Sequence, residues 1–140
     1  MDARQYLSQL KRLRSMIENK RAEIEQWKSV AYGITPQTNG ERVQSMGKPD
    51  KMATAICNYA TIEAELERQI AEYGETMLEV ISVIEQLEDP FYSIIHKHYI
   101  ENKKFEQISE EVNYSYQYTT ELHRVALYMV QMIIDNRQKG

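Results

Sequence analysis

Gln117, Thr120, Glu121 and Arg124 are the residues of this chain whose types and spacing suit the reading of base edges. A Gln amide pairs with adenine, an Arg guanidinium with guanine, and a Glu carboxylate accepts from the amino group of cytosine. At about 100° per residue, all four fall on the outward face of a helix that buries Thr119, Leu122 and Ala126. Tyr116 stands at the start of that helix, near either bases or phosphates. Lys97, Lys103 and Lys104 precede it, where phosphate contacts are expected. Arg124 is the only basic residue on the outward face between Ser115 and Arg137. Read alone, the same residues also fit an ordinary solvated helix face.

Other chemistry finds little support. His96 and His98 are two residues apart and point to different sides of a helix, unlike the one-face spacing that binds zinc. His123 is distant in sequence, and Cys57 is the only cysteine. No metal site, catalytic carboxylate pair, phosphate-cradling glycine loop or cofactor is expected, and the chain does not read as an enzyme. The Met and Tyr residues recur at helical spacing and read as core rather than cofactor contacts.

The element that positions the candidate residues is Lys104–Ala126. Phe105, Ile108 and Val112 recur at helical spacing until Asn113-Tyr114-Ser115 breaks the pattern. Asn tolerates the left-handed conformation of a sharp inter-helix turn, and Ser115 is a good N-cap for the next helix. Thr119, Leu122, Ala126, Met129 and Ile133 then continue an apolar stripe. This is the order of a helix-turn-helix, whose second helix enters the DNA major groove. The motif wants a small residue where its helices cross, a left-handed turn residue and an inward branched residue. Ser109, Asn113 and Thr119 fill those places, each a mild departure from Ala, Gly and Val or Ile. Three helices packed for structural reasons alone would give a similar pattern.

Upstream, Ala3, Tyr6, Leu10, Leu13, Ile17, Lys20, Ile24, Trp27 and Ala31 keep a three-four alternation, so residues 2–31 are expected to form one helix capped by Asp2. Residues 32–49 read as a connector, punctuated by Gly33, Pro36, Asn39-Gly40, Gly47 and Pro49. Asp50 opens a second long helix to about Leu87. Met52, Ile56, Tyr59, Ile62, Leu66, Ile70, Tyr73, Met77, Val80, Ile84 and Leu87 line its seam, which slips between Ile62 and Ile70. Residues 1–31 carry 7 Lys+Arg against 4 Asp+Glu, net +3, and residues 51–90 carry 2 against 9, net −7. Opposite charge favours an antiparallel hairpin, although solvated faces would show the same imbalance. Asp89-Pro90 is the sharpest boundary. It divides a helical hairpin, 1–88, from a helix-turn-helix domain, 89–140. In that domain Phe91, Ile94, Ile95, His98 and Tyr99 form the buried side of the first helix, and Asn102 ends it. The fold class expected is all-α.

The 140 residues are 42% hydrophobic and 27% charged, a globular composition. One cysteine fits a reducing cytoplasm. No apolar run reaches membrane-spanning length, and no signal-peptide core precedes the first helix. A net charge of −4 weighs against strong non-specific DNA binding. A dimer, or contact with RNA polymerase, would compensate. The apolar tail 127–134 is the expected self-association surface.

The segment Pro90–Ile133, with HYIENKKFEQISEEVNYS and the later Ala126-Leu127, resembles region 4 of sigma factors. Over nearly its full length the chain resembles small phage-encoded regulators of the RinA/ArpU type. The resemblance lies in an N-terminal YL-x-Q helix, a connector like ERVQSMGKPDKM, a long acidic helix with LE-x-x-I, and the C-terminal helix-turn-helix. It implies a transcriptional regulator of phage or prophage genes that binds double-stranded DNA in the cytoplasm of a bacterial host. Tyr116, Gln117, Tyr118 and Glu121 stand where sigma factors often carry more Lys and Arg. The alternative is a helical phage assembly or packaging protein, scaffold-like or small-terminase-like, without regulatory DNA binding.

Overall fold

The computed structural model describes residues 1–32 and 49–139. Among them the chain is all helix: α1 (Ala3–Tyr32), α2 (Pro49–Ile84), α3 (Phe91–Ile95), α4 (Phe105–Val112) and α5 (Tyr116–Lys139). A π-helical turn, His96–Ile100, extends α3. The two long helices pack antiparallel, and the three shorter elements pack around α5. Of the expected connector, residues 32–49, Tyr32 ends α1 and Pro49 opens α2, and residues 33–48 lie outside the described residues.

By packing, the chain falls into two compact units, Met1–Leu13 with Tyr73–Gly140, and Arg14–Glu72. This division differs from one at residue 88, because the base of the hairpin belongs with the C-terminal helices. Its cause is visible in the core of the first unit. Ala3, Leu7 and Leu10 of α1 join Val80, Val83 and Ile84 of α2, then Ile95, Ala126, Val130 and Ile134. Leu7, off the expected seam, is fully buried, because α1 is covered here by more than one neighbour. Each Leu, Ile or Val among them contributes roughly 1.5–3 kcal/mol by leaving water.

The start of α1 is closed by a capping box. Asp2 Oδ1 accepts from the Gln5 N–H at 2.8 Å, and Gln5 Oε1 accepts from the Asp2 N–H at 3.0 Å. Gln131 of α5 takes a further free donor, accepting from the Ala3 N–H at 2.7 Å. Between α1 and α2, the Tyr6 hydroxyl donates to Glu79. Burial and Glu79 together push the Tyr6 phenol up to about 12.

In the second unit Ile17, Ile24 and Ala55 are buried, and Lys20 reaches Glu65 of the opposite helix at 3.1 Å. Lys20, the polar interruption of the α1 seam, is thus held at the interface by a carboxylate. The α2 seam slips at Ile70, where its spacing fails, and also earlier, at Ile56. Ile56 and Ile70 are exposed, Ala55 takes the buried place, and Gln69 turns inward with no hydrogen-bond partner for its Oε1. Trp27, expected to be largely covered, is half-buried.

Candidate nucleic-acid interface

The turn between α4 and α5 forms around one backbone conformation. Asn113 adopts φ 63° and ψ 37°, the left-handed region that Asn reaches more easily than most side chains. This sends the Asn113 and Tyr114 N–H groups back to the Ser109 carbonyl, which closes α4. Ser115 then opens α5, its Oγ accepting from the Tyr118 N–H at 3.0 Å. Thr119 is fully buried and returns its hydroxyl to the Ser115 carbonyl at 2.8 Å. Ser109 is buried where the helices approach, its hydroxyl bonded to the Glu106 carbonyl. Ile94, Ile108 and Leu122 form the core between α3, α4 and α5, closed by Phe91, Phe105 and Val112. The three residues expected at the crossing, the turn and the inward position therefore occupy them.

The buried face of α5 runs through Thr119, Leu122, His123, Ala126, Val130 and Ile134. It departs from the expected stripe after Ala126, since Met129 and Ile133 are only half-buried. A straight helix drifts about 20° per heptad against a strict three-four repeat, so the burial moves one residue on.

Tyr116, Gln117, Glu121 and Arg124 are exposed, and Thr120 is half-buried with its hydroxyl given to the Gln117 carbonyl. Arg124 and Glu121 pair with each other at 2.6 Å on the open surface. Their spacing of three permits this, and Glu121 holds the guanidinium above its usual range. A nucleic acid at this face must meet the two as a unit or separate them. Tyr118, outside the expected set, is also exposed and packs edge-on against Tyr114 at 5.0 Å.

The lysines divide. Lys97 and Lys103 both reach Glu111, at 2.7 and 2.9 Å, and Lys103 also reaches Glu101 at 2.9 Å. His96 closes the chain onto Glu101. Lys97 first, then Lys103, holds Glu111 below the usual carboxylate range, while Lys103 and then His96 do the same for Glu101. Glu111 and Glu101 in turn raise Lys103. Lys104 stands exposed with no ion pair among the described residues.

Sequence spacing gave no sign of a ring cluster beneath this surface. His98 stacks on Phe105 at 4.2 Å, and His123 meets Phe105 edge-on at 4.8 Å. The two imidazoles lie 5.5 Å apart. His98 Nδ1 lies 2.9 Å from the Lys103 carbonyl, which can only accept, so that nitrogen carries a proton. Tyr99 Oη and His123 Nε2 share a hydrogen bond of 2.8 Å. The π turn, with one residue more per hydrogen-bonded ring, brings the adjacent His98 and Tyr99 into one cluster. Burial, then the neighbouring His98 and Arg4, lowers His123 to about 4. Burial also lowers His98 and raises Tyr99. His123 is buried in this cluster, with His98 and Tyr99 half-buried beside it.

Among the described residues, no three His, Cys, Asp or Glu side chains are grouped to hold a metal ion, and no helix is long and apolar enough to cross a membrane. Comparison with known proteins finds no family, no curated protein and no solved structure that matches this chain.

Proposed function

We propose that this protein is a sequence-specific DNA-binding transcriptional regulator of phage or prophage genes, with α4 and α5 as its helix-turn-helix. The observation that carries the reading is the turn itself. Left-handed Asn113, buried Thr119 and buried Ser109 recur together at the motif's spacing, with Tyr116, Gln117 and Arg124 left outward. Gln117 and Arg124 read bases, Tyr116, Thr120 and Glu121 flank them, and Lys104 contacts phosphate. Lys103 joins in only by giving up Glu101 or Glu111. The net charge of −4 makes a second copy, or RNA polymerase, the expected source of added affinity.

The test is a gel-shift scan of duplex fragments from the genome around the gene. One fragment should bind well ahead of the others, and Arg124→Ala should weaken that complex about tenfold to a hundredfold. If no fragment is preferred, the regulator reading fails. A second reading draws on exposed Val125 and Met132, which leave an apolar stripe on α5. That stripe suits a helical assembly or packaging protein, which would form large oligomers and show no preferred fragment.

A further inference from the structure

We infer that the first turns of α1 form part of the same DNA-binding surface, with Arg4 and Lys11 holding backbone phosphates of the duplex whose bases α5 reads. The inference rests on the DNA-binding reading and assigns it a second element. Two adjoining clefts share Arg4. One is lined by Arg4, Ser8, Lys11, His98, Tyr99 and Asn102, and the other includes Arg4, Arg124, Tyr128 and Gln131. Arg4, Ser8 and Lys11 follow one another at helical spacing and so share a face of α1.

The first cleft is lined by donors, and none of its six residues is a carboxylate. Asp2 borders the second cleft, but its Oδ1 is taken by the Gln5 N–H. Arg4 and Lys11 are exposed and make no ion pair among the described residues. Lys97 and Lys103, nearby in sequence to Asn102, are both matched by Glu111. Open positive charge among the described residues therefore lies on α1 as well as at Lys104, and not at Lys97 or Lys103. Its field is felt inside the fold, since Arg4 and Lys11 both disfavour protonation of His98.

The position of Arg4 also lacks a local structural reason. It stands in the first turn of a helix, where the backbone dipole favours an anion and not a cation. The helix end itself is already closed by Asp2 and Gln131, so an incoming phosphate there gains from the guanidinium. The geometry is fixed, because Gln131 of α5 holds the Ala3 N–H at 2.7 Å. Gln131 is seven residues after Arg124, on the same face of α5, so Arg4 is anchored beside the reading face.

The experiment measures anisotropy of a labelled duplex against salt, using the full chain. Wild type, Arg4→Ala/Lys11→Ala, and the equal-charge control Arg21→Ala/Lys28→Ala are compared on preferred and scrambled duplexes. The first double variant should lose affinity for both duplexes and lower the slope of log K against log salt by about two. The control should keep the wild-type slope, and so should Arg4→Lys/Lys11→Arg. Circular dichroism melts confirm that each variant is folded. Wild-type binding with an unchanged slope in Arg4→Ala/Lys11→Ala overturns this inference and leaves the DNA-binding reading in place. An equal loss in the control overturns it too, since net charge alone would then explain the effect. Absence of wild-type binding to any duplex overturns both.

Discussion

At the scale of single residues, the turn was legible in the sequence and the ring cluster was not. Asn113, Ser115 and Thr119 act on backbone groups within a few positions of themselves, so their types announce their roles. His123 meets Tyr99 and His98 across more than twenty residues, and no spacing rule reports such a contact. The cluster carries a pH dependence. His123 falls to about 4 in the fold, because burial disfavours its charged form. An unfolded imidazole protonates near its ordinary value of about 6.5. As pH drops below that, the unfolded chain takes up a proton that the folded chain refuses, and stability declines until the folded value is reached. The loss from His123 is on the order of 2 kcal/mol between pH 7 and pH 5, and His98 shifts in the same direction. Denaturant melts at the two pH values should show this decline. His123→Gln, which keeps a partner for Tyr99, should reduce it. A wild-type stability that is flat over this range would contradict the assignment.

At the scale of elements, helix ends and helix existence followed from the chain, while seams shifted wherever a third element joined. α1, α2, α4 and α5 begin and end close to the expected positions, because caps and punctuating residues act locally. Leu7 and Val130 escaped, since a seam read from one helix assumes one partner, and the first unit covers α1 and α5 on more than one side. The slip in α2 was legible as broken spacing, and it leaves Gln69 inward and Ile70 out. Gly74 lies in the same helix with nothing within 4 Å of the position a Cβ would occupy. Gly74→Ala should therefore stabilise the protein by roughly 0.5–1 kcal/mol in chemical denaturation, by lowering the backbone entropy of the unfolded chain. A destabilised variant would show that the helix bends there for a reason. The link before α4 makes a second contrast. Lys104→Ala should flatten the salt dependence of DNA binding by about one unit. Lys103→Ala should change it little, because Glu101 and Glu111 already match that charge. Equal effects would mean that DNA breaks the ion pairs.

At the scale of the whole molecule, an acidic chain with one small reading face needs more contact than a single copy supplies. A net charge of −4 repels a duplex at long range, and Arg124 is shared with Glu121. The apolar surface suggests how the deficit is met. Met132 is 65% exposed and Val125 is 39% exposed, about a quarter turn around α5 from Gln117 and Arg124. Beside them a groove runs along Leu87, Phe91, Met129, Met132 and Ile133. A two-fold axis through this face would set each α5 against the other's groove, an isologous contact of the kind that closes dimers. The reading faces would remain outward, and two half-sites would be expected about one helical turn of DNA apart. Sedimentation at micromolar concentration should thus give a dimer. Met132→Lys should shift it to monomer and weaken the specific complex, while leaving the melting profile of each subunit cooperative. A monomeric wild type that still binds its fragment tightly would overturn the dimer and leave RNA polymerase as the remaining source of the missing affinity.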